Sequence, residues 1–257
     1  MNKNFIKLIT LCILCALFFI AKGCKNSDHF FKDTIDEQTL SPMTRSGEGL
    51  AWDYPVKPGT EEWKLFQSNE EKVRACQIPE EVISSLSTEE LTDLCLQYPL
   101  IYDVFAFNSL NDGLDKLFSD FNGIRELNKR DDASILINRY NEKLQSFSFL
   151  DGTDPEIKKG GFVVSVSILE ILLSRIGSQK DSLNKTLQSL VVGYEEKFRY
   201  VDYFKGFGFK TNLYSRSRAI LKIDVSSIDA ENSILFSGMG DEQSVNIIDR
   251  LSYQLIN

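Results

Sequence analysis

The side chains of this 257-residue chain that could carry chemistry are chiefly carboxylates. A pair of Asp or Glu groups can hydrolyse a glycosidic bond when held at a set separation with one of them kept protonated. Asp103, Asp112, Asp115, Asp120, Glu126 and Glu170 are the candidates. Glu170 stands out because it interrupts the most apolar stretch beyond the N-terminus, Phe162 to Leu173. The simpler expectation is that Glu170 pairs with Arg175 or another base at a helix surface while the others cap helices or face water, because carboxylates are rarely buried unpaired. No residue is assigned as catalytic on this ground.

Histidine and cysteine narrow the chemistry further. The single histidine, His29, lies near the N-terminus. The chain beyond it has no Ser–His–Asp or Cys–His nucleophile system and no His-ligated zinc. Cys76 and Cys95 form no CxxC and have no histidine nearby, so no metal and no other cofactor is expected. Their even number permits a disulfide, which would contribute about 3 kcal/mol in the chain-entropy model. The alternative is two free thiols on buried helix faces, where cysteine packs as a small hydrophobe.

Aromatic and basic residues crowd into one region. Tyr200, Tyr203, Phe204, Phe207, Phe209 and Tyr214, with Lys205 and Lys210, form a candidate binding patch for protein or glycan if the rings stay exposed. The competing expectation is a helix–turn–helix corner that buries them. Lys197, Arg199, Arg216, Arg218 and Lys222 make the same region locally basic on a chain of net charge −8. Lys205-Gly-Phe-Gly-Phe209 copies the opening of an RNA-recognition signature, but Lys210 and Asn212 stand where valine and an aromatic are needed. That mismatch and the acidity exclude nucleic acid as a partner. The glycines are expected to turn the chain between helices.

The elements that position these residues are helical by pattern. Ser68-Asn-Glu-Glu71 and Ser87-Thr-Glu-Glu90 fit capping boxes, and Pro79 suits a first helical turn. Leu91, Leu94, Cys95 and Tyr98 follow helical spacing, and one stripe runs from Leu110 through Phe121 to Leu127. Residues 154–176 predict a central buried helix, and Asp181 or Ser182 caps the next. A helix is expected near Tyr214–Ile223 and another from Glu242 to Leu255, with 224–240 irregular between them. The whole predicts an all-α fold, an irregular multi-helix bundle or a short α-solenoid of antiparallel helix pairs.

The N-terminus reads as an export leader. Lys3 and Lys7 precede a 14-residue apolar run, Leu8–Ala21, and Gly23 precedes Cys24. The run is short for a bilayer span, which needs roughly 20 residues. Residues 1–23 are expected as a lipoprotein signal peptide, Cys24 as the lipidated first residue, 24–58 as a flexible tether and 59–257 as one all-α domain. Lys22 and Ala21 depart from the usual lipobox, and the residues also admit ordinary signal-peptidase cleavage or an uncleaved anchor. Trp52, Tyr54 and Val56 alternate and suit a short extended piece docked on the domain. Loss of a leader with three lysines and no acid leaves the remainder more acidic still.

Ala21-Lys22-Gly23-Cys24, with Ile78-Pro-Glu-Glu-Val-Ile-Ser-Ser-Leu and Tyr98-Pro-Leu-Ile-Tyr-Asp-Val-Phe-Ala-Phe, resembles a family of gut Bacteroidetes lipoproteins of no known activity. The resemblance implies attachment to the bacterial envelope, at the outer membrane, and carries over no catalytic residue. The expected function is a lipid-anchored, non-enzymatic interaction module with a membrane contact and a protein or glycan partner. A carboxylate-dependent glycan hydrolase and a proteinaceous inhibitor or immunity factor, with 224–240 as a wedge, are the alternatives.

Overall fold

The computed structural model describes residues 52–147, 156–205, 207–223 and 242–256. All regular structure among these residues is helical. The leader, Cys24 and the wedge expected at 224–240 lie outside the described residues.

The first helices begin where side chains satisfy the free amides of a first turn. Thr60 accepts from the Trp63 N–H at the start of α1 (Glu61–Leu65), and Ser68 accepts from the Glu71 N–H at the start of α2 (Asn69–Ala75). The Glu71 carboxylate accepts from Gln67 rather than from Ser68. Helix α3 (Glu80–Ser85) follows Pro79, and α4 (Thr88–Leu96) carries the full Ser87–Glu90 capping box. A 3-10 turn, Ile101–Ala106, precedes α5 (Leu110–Asp120), which Ser109 caps.

The single stripe expected from Leu110 to Leu127 is two helices, α5 and α6 (Asn122–Arg130). Phe121 leaves helical geometry to bury its ring, stacked on Tyr98 at 3.9 Å. Asn122 then accepts from the Ile78 N–H at 3.1 Å and donates to the Ile78 carbonyl at 2.7 Å. Aromatic burial and this bidentate tie outweigh helix continuity.

Helix α7 (Ala133–Ser146) starts at Asp132, which accepts from the Ser134 N–H. The central helix expected over 154–176 is α8 (Glu156–Leu173). Helix α9 (Lys180–Phe198) begins two or three residues earlier than expected: Gln179 is its N-cap, and Asp181 and Ser182 lie within its first turn. Helix α10 (Val201–Phe204) is a single turn, and α11 (Phe207–Ile223) starts well before Tyr214. Gly208 therefore lies inside a helix rather than in a turn, and a Cβ there would stand 2.8 Å from the Phe204 ring. Helix α12 (Glu242–Ile256) ends the fold.

Helices α7, α8, α11 and α9 each pack on the next and close a four-membered ring, with α12 laid across α9 and α11 from outside. The main core runs from Tyr54 to Tyr214, and a second cluster including Leu187, Leu213, Ile220 and Ile248 lies beneath α12. Arg139 on α7 grips Asp93 on α4 with two hydrogen bonds of 2.8 Å, joining the short N-terminal helices to the ring. This bidentate pairing holds the guanidinium pKa above its ordinary value. Tyr54 docks as the alternation predicts: it is buried, and its hydroxyl donates to the Leu94 carbonyl at 2.9 Å. The packed body thus reaches back ahead of residue 59.

Cys76 and Cys95 are buried free thiols. Burial pushes the Cys76 thiol up to about 11 and Cys95 higher, so neither is a thiolate at neutral pH. Labelling with iodoacetamide without reductant is expected to modify neither residue in the native protein and both in urea. A chain that stays unlabelled at both positions when unfolded would show a disulfide instead.

Candidate functional site

The ring has a polar centre. Glu170 on α8 and Lys197 in the last turn of α9 are both fully buried, with the Lys197 Nζ 2.5 Å from Glu170 Oε1. Tyr140 on α7 donates to the same oxygen at 2.7 Å, and Asn212 on α11 donates to it at 2.8 Å. Thr211 donates to Oε2 at 2.8 Å. Lys197 also donates to the Gly208 carbonyl at 2.6 Å and sits 5.2 Å above the Phe204 ring. Asn212 Nδ2 further contacts the Leu190 carbonyl at 3.0 Å, whereas its buried Oδ1 has no partner.

The sequence places each group by helical spacing. Leu190, Gly193 and Lys197 share the inward face of α9, and Gly208, Thr211, Asn212 and Ser215 share that of α11. Ser215 donates to the Glu170 backbone carbonyl at 2.6 Å, a lock between α11 and α8. Gly193 is required by close approach: a Cβ there would lie 1.9 Å from the Tyr140 hydroxyl oxygen.

Desolvation dominates the electrostatics. Burial pushes the Lys197 ammonium pKa down, while the Glu170 charge pulls it back up. The Tyr140 hydroxyl is pushed well above its ordinary value, first by burial and then by Glu170. The carboxylate accepts four side-chain hydrogen bonds, so it joins all four helices of the ring rather than facing a cleft.

Glu170 pairs with Lys197 and not with Arg175, which bonds Asp115 instead. The remaining acids do not converge. Asp103 and Asp112 are exposed, Asp120 pairs with Lys116 at 2.8 Å, and Glu126 contacts Arg130 at 3.4 Å. Among the described residues no cluster of His, Cys, Asp and Glu could hold a metal ion.

The candidate aromatic patch divides. Phe204 and Tyr214 are core residues, and Tyr214 donates to Asn111 at 2.6 Å. Tyr200 and Tyr203 are half-buried against Phe147, and Phe209 packs on Tyr194 and on Phe198, which is exposed. Phe207 lies in the backbone of α11, its side chain outside the described set. Lys205 pairs with Asp202, and Lys210 is exposed. The basic zone is not one face either, because Lys197 and Arg216 are interior. Arg216 pairs with Asp249 of α12 at 2.7 Å.

Sequence reasoning missed two features. One is the polar centre, whose signal is Lys197, Thr211 and Asn212 standing in otherwise apolar helix faces. The other is an open groove of about 590 Å³ between α7 and α9, lined by Asn141, Leu144, Gln188, Val192, Arg199 and Tyr200 among others. Its amides recur at helical spacing but read as ordinary solvated positions.

Compared with known proteins, the chain matches no family, no curated protein and no solved structure.

Glu170→Ala leaves a buried ammonium without its counter-charge and is expected to cost about 3–5 kcal/mol. Lys116→Ala, which removes an exposed pair, is expected to cost about 1 kcal/mol or less. Urea unfolding of both variants checks this; equal losses would deny Glu170 its central role.

Proposed function

We propose that this protein is a lipid-anchored cell-envelope interaction module, held to the outer membrane through Cys24 and engaging a protein or glycan with its folded body. The reading is supported by the leader-like N-terminus ending at Gly23-Cys24 and by the division of polar groups in the ring. The ionisable groups of the interior bind one another, whereas the α7–α9 groove turns amides, an arginine and a tyrosine outward. That outward groove is the observation that carries the reading. Amide and aromatic side chains fix a neutral polar partner through hydrogen bonds and ring contact at low entropic cost. None of the described helices is long and apolar enough to cross a membrane.

Two measurements test the proposal. Native chain expressed in a Bacteroidetes host is expected to enter the detergent phase and to lose residues 1–23, while Cys24→Ser stays aqueous and unprocessed. Unchanged partitioning of Cys24→Ser would remove the anchor from the reading. A soluble form starting at residue 25 is then used as bait on intact envelope, beside a Val192→Glu variant that puts a charge into the groove. Retention of an envelope component by the parent and its loss by the variant is the expected result; equal retention by both would discard the groove.

A further inference from the structure

Three groups at the centre of the ring have the composition of a self-crosslinking site. An amine, a carboxamide and a carboxyl group meet there: Lys197, Asn212 and Glu170 are each fully buried. The Lys197 Nζ and the Asn212 Nδ2 share one oxygen, Glu170 Oε1, at 2.5 and 2.8 Å. The Asn212 Nδ2 also donates to the Leu190 carbonyl at 3.0 Å, which holds the carboxamide against α9.

We propose that Lys197 and Asn212 form an intramolecular isopeptide bond between α9 and α11, with Glu170 as the proton carrier. The carboxylate first takes a proton from the Lys197 ammonium, which frees the nitrogen lone pair. That lone pair forms the bond to Asn212 Cγ, and the carbonyl π pair moves onto Oδ1. The proton shed by the new secondary amine passes through the Glu170 carboxyl to Nδ2. Collapse of the oxyanion breaks the Cγ–Nδ2 bond, ammonia departs as a neutral molecule, and Glu170 keeps the proton taken from Lys197 as a neutral carboxyl. No oxidant, metal or cofactor enters the balance.

The surroundings favour the nucleophile and its proton carrier. Desolvation is the usual means of turning a lysine into a nucleophile, and it acts on Lys197, whose ammonium pKa burial lowers. Tyr140 and Thr211 hold the carboxyl through Oε1 and Oε2, so it can pass a proton without moving. The shared hydrogen bonds to Glu170 Oε1 hold the amine and the carboxamide beside one another, and such proximity can replace a large part of the barrier to joining two groups. The product replaces the buried ion pair with a neutral amide and a neutral carboxyl.

The test is peptide mapping of the purified full chain, and it is independent of the envelope reading. Trypsin cannot cut after an acylated lysine. The expected product is residues 186–199 joined to residues 211–216, one ammonia lighter than the two together, with fragment ions placing the link at Lys197 and Asn212. Lys197→Arg, Asn212→Ala and Glu170→Gln are expected to give unlinked peptides. Because a variant can fail through misfolding, the decisive sample is the wild-type chain. Cleavage after Lys197 with an intact Asn212 overturns the proposal, as does ammonia loss confined to the 211–216 peptide. A link that persists in folded Glu170→Gln overturns the role of Glu170.

Discussion

A charge pair sealed inside a ring of helices sets the register of every helix around it. Glu170 and Lys197 have left water, and their mutual attraction together with hydrogen bonds from the protein offsets that loss. Tyr140, Thr211 and Asn212 provide them from α7 and α11, and the Gly208 carbonyl completes the lysine. A one-residue slip turns a helix by about 100° and would point these groups at apolar neighbours. The ring is therefore specified by polar geometry as much as by hydrophobic volume. Gly193 shows how tight the constraint is, since the Tyr140 hydroxyl occupies the place of a side chain there.

Much of the scaffold is legible in the chain. Ser68, and Ser87 with Glu90, announce helix starts because a cap is a local interaction, set by residues within one turn. The central helix α8 is legible from its apolar run, and α12 from its stripe. Phe121 is not: its departure from helix depends on Tyr98 and on Asn122 reaching Ile78, partners 23 and 44 residues away in sequence. The polar centre fails for the same reason. Glu170 is visibly odd in its apolar stretch, but the nearest base in sequence is Arg175, five residues on. The true partner, Lys197, comes from another helix and looks like one member of a basic surface. Tyr214 and Phe204 likewise belong to an aromatic-rich segment whose burial only tertiary packing decides.

The split between interior and exterior frames what the protein can do. Its unusual chemistry is turned inward, where it ties helices to each other. Its outward features are the amide-lined groove beside α9 and scattered apolar side chains such as Phe198 and Val192.

The seam between α12 and the ring bears on the order in which the molecule can be assembled. Arg216 is almost wholly buried, and its partners Asp249, Ser252 and the Ile248 carbonyl all belong to the last helix. Ser252 and Ile248 emerge during synthesis 36 and 32 residues after the arginine they satisfy. Until they arrive the guanidinium keeps its water, and Leu187, Leu213 and Ile220 have no cover. The packing of α9 on α11 is therefore finished only once α12 has emerged, and a chain interrupted before it offers chaperones and proteases a greasy strip with a cation in its middle.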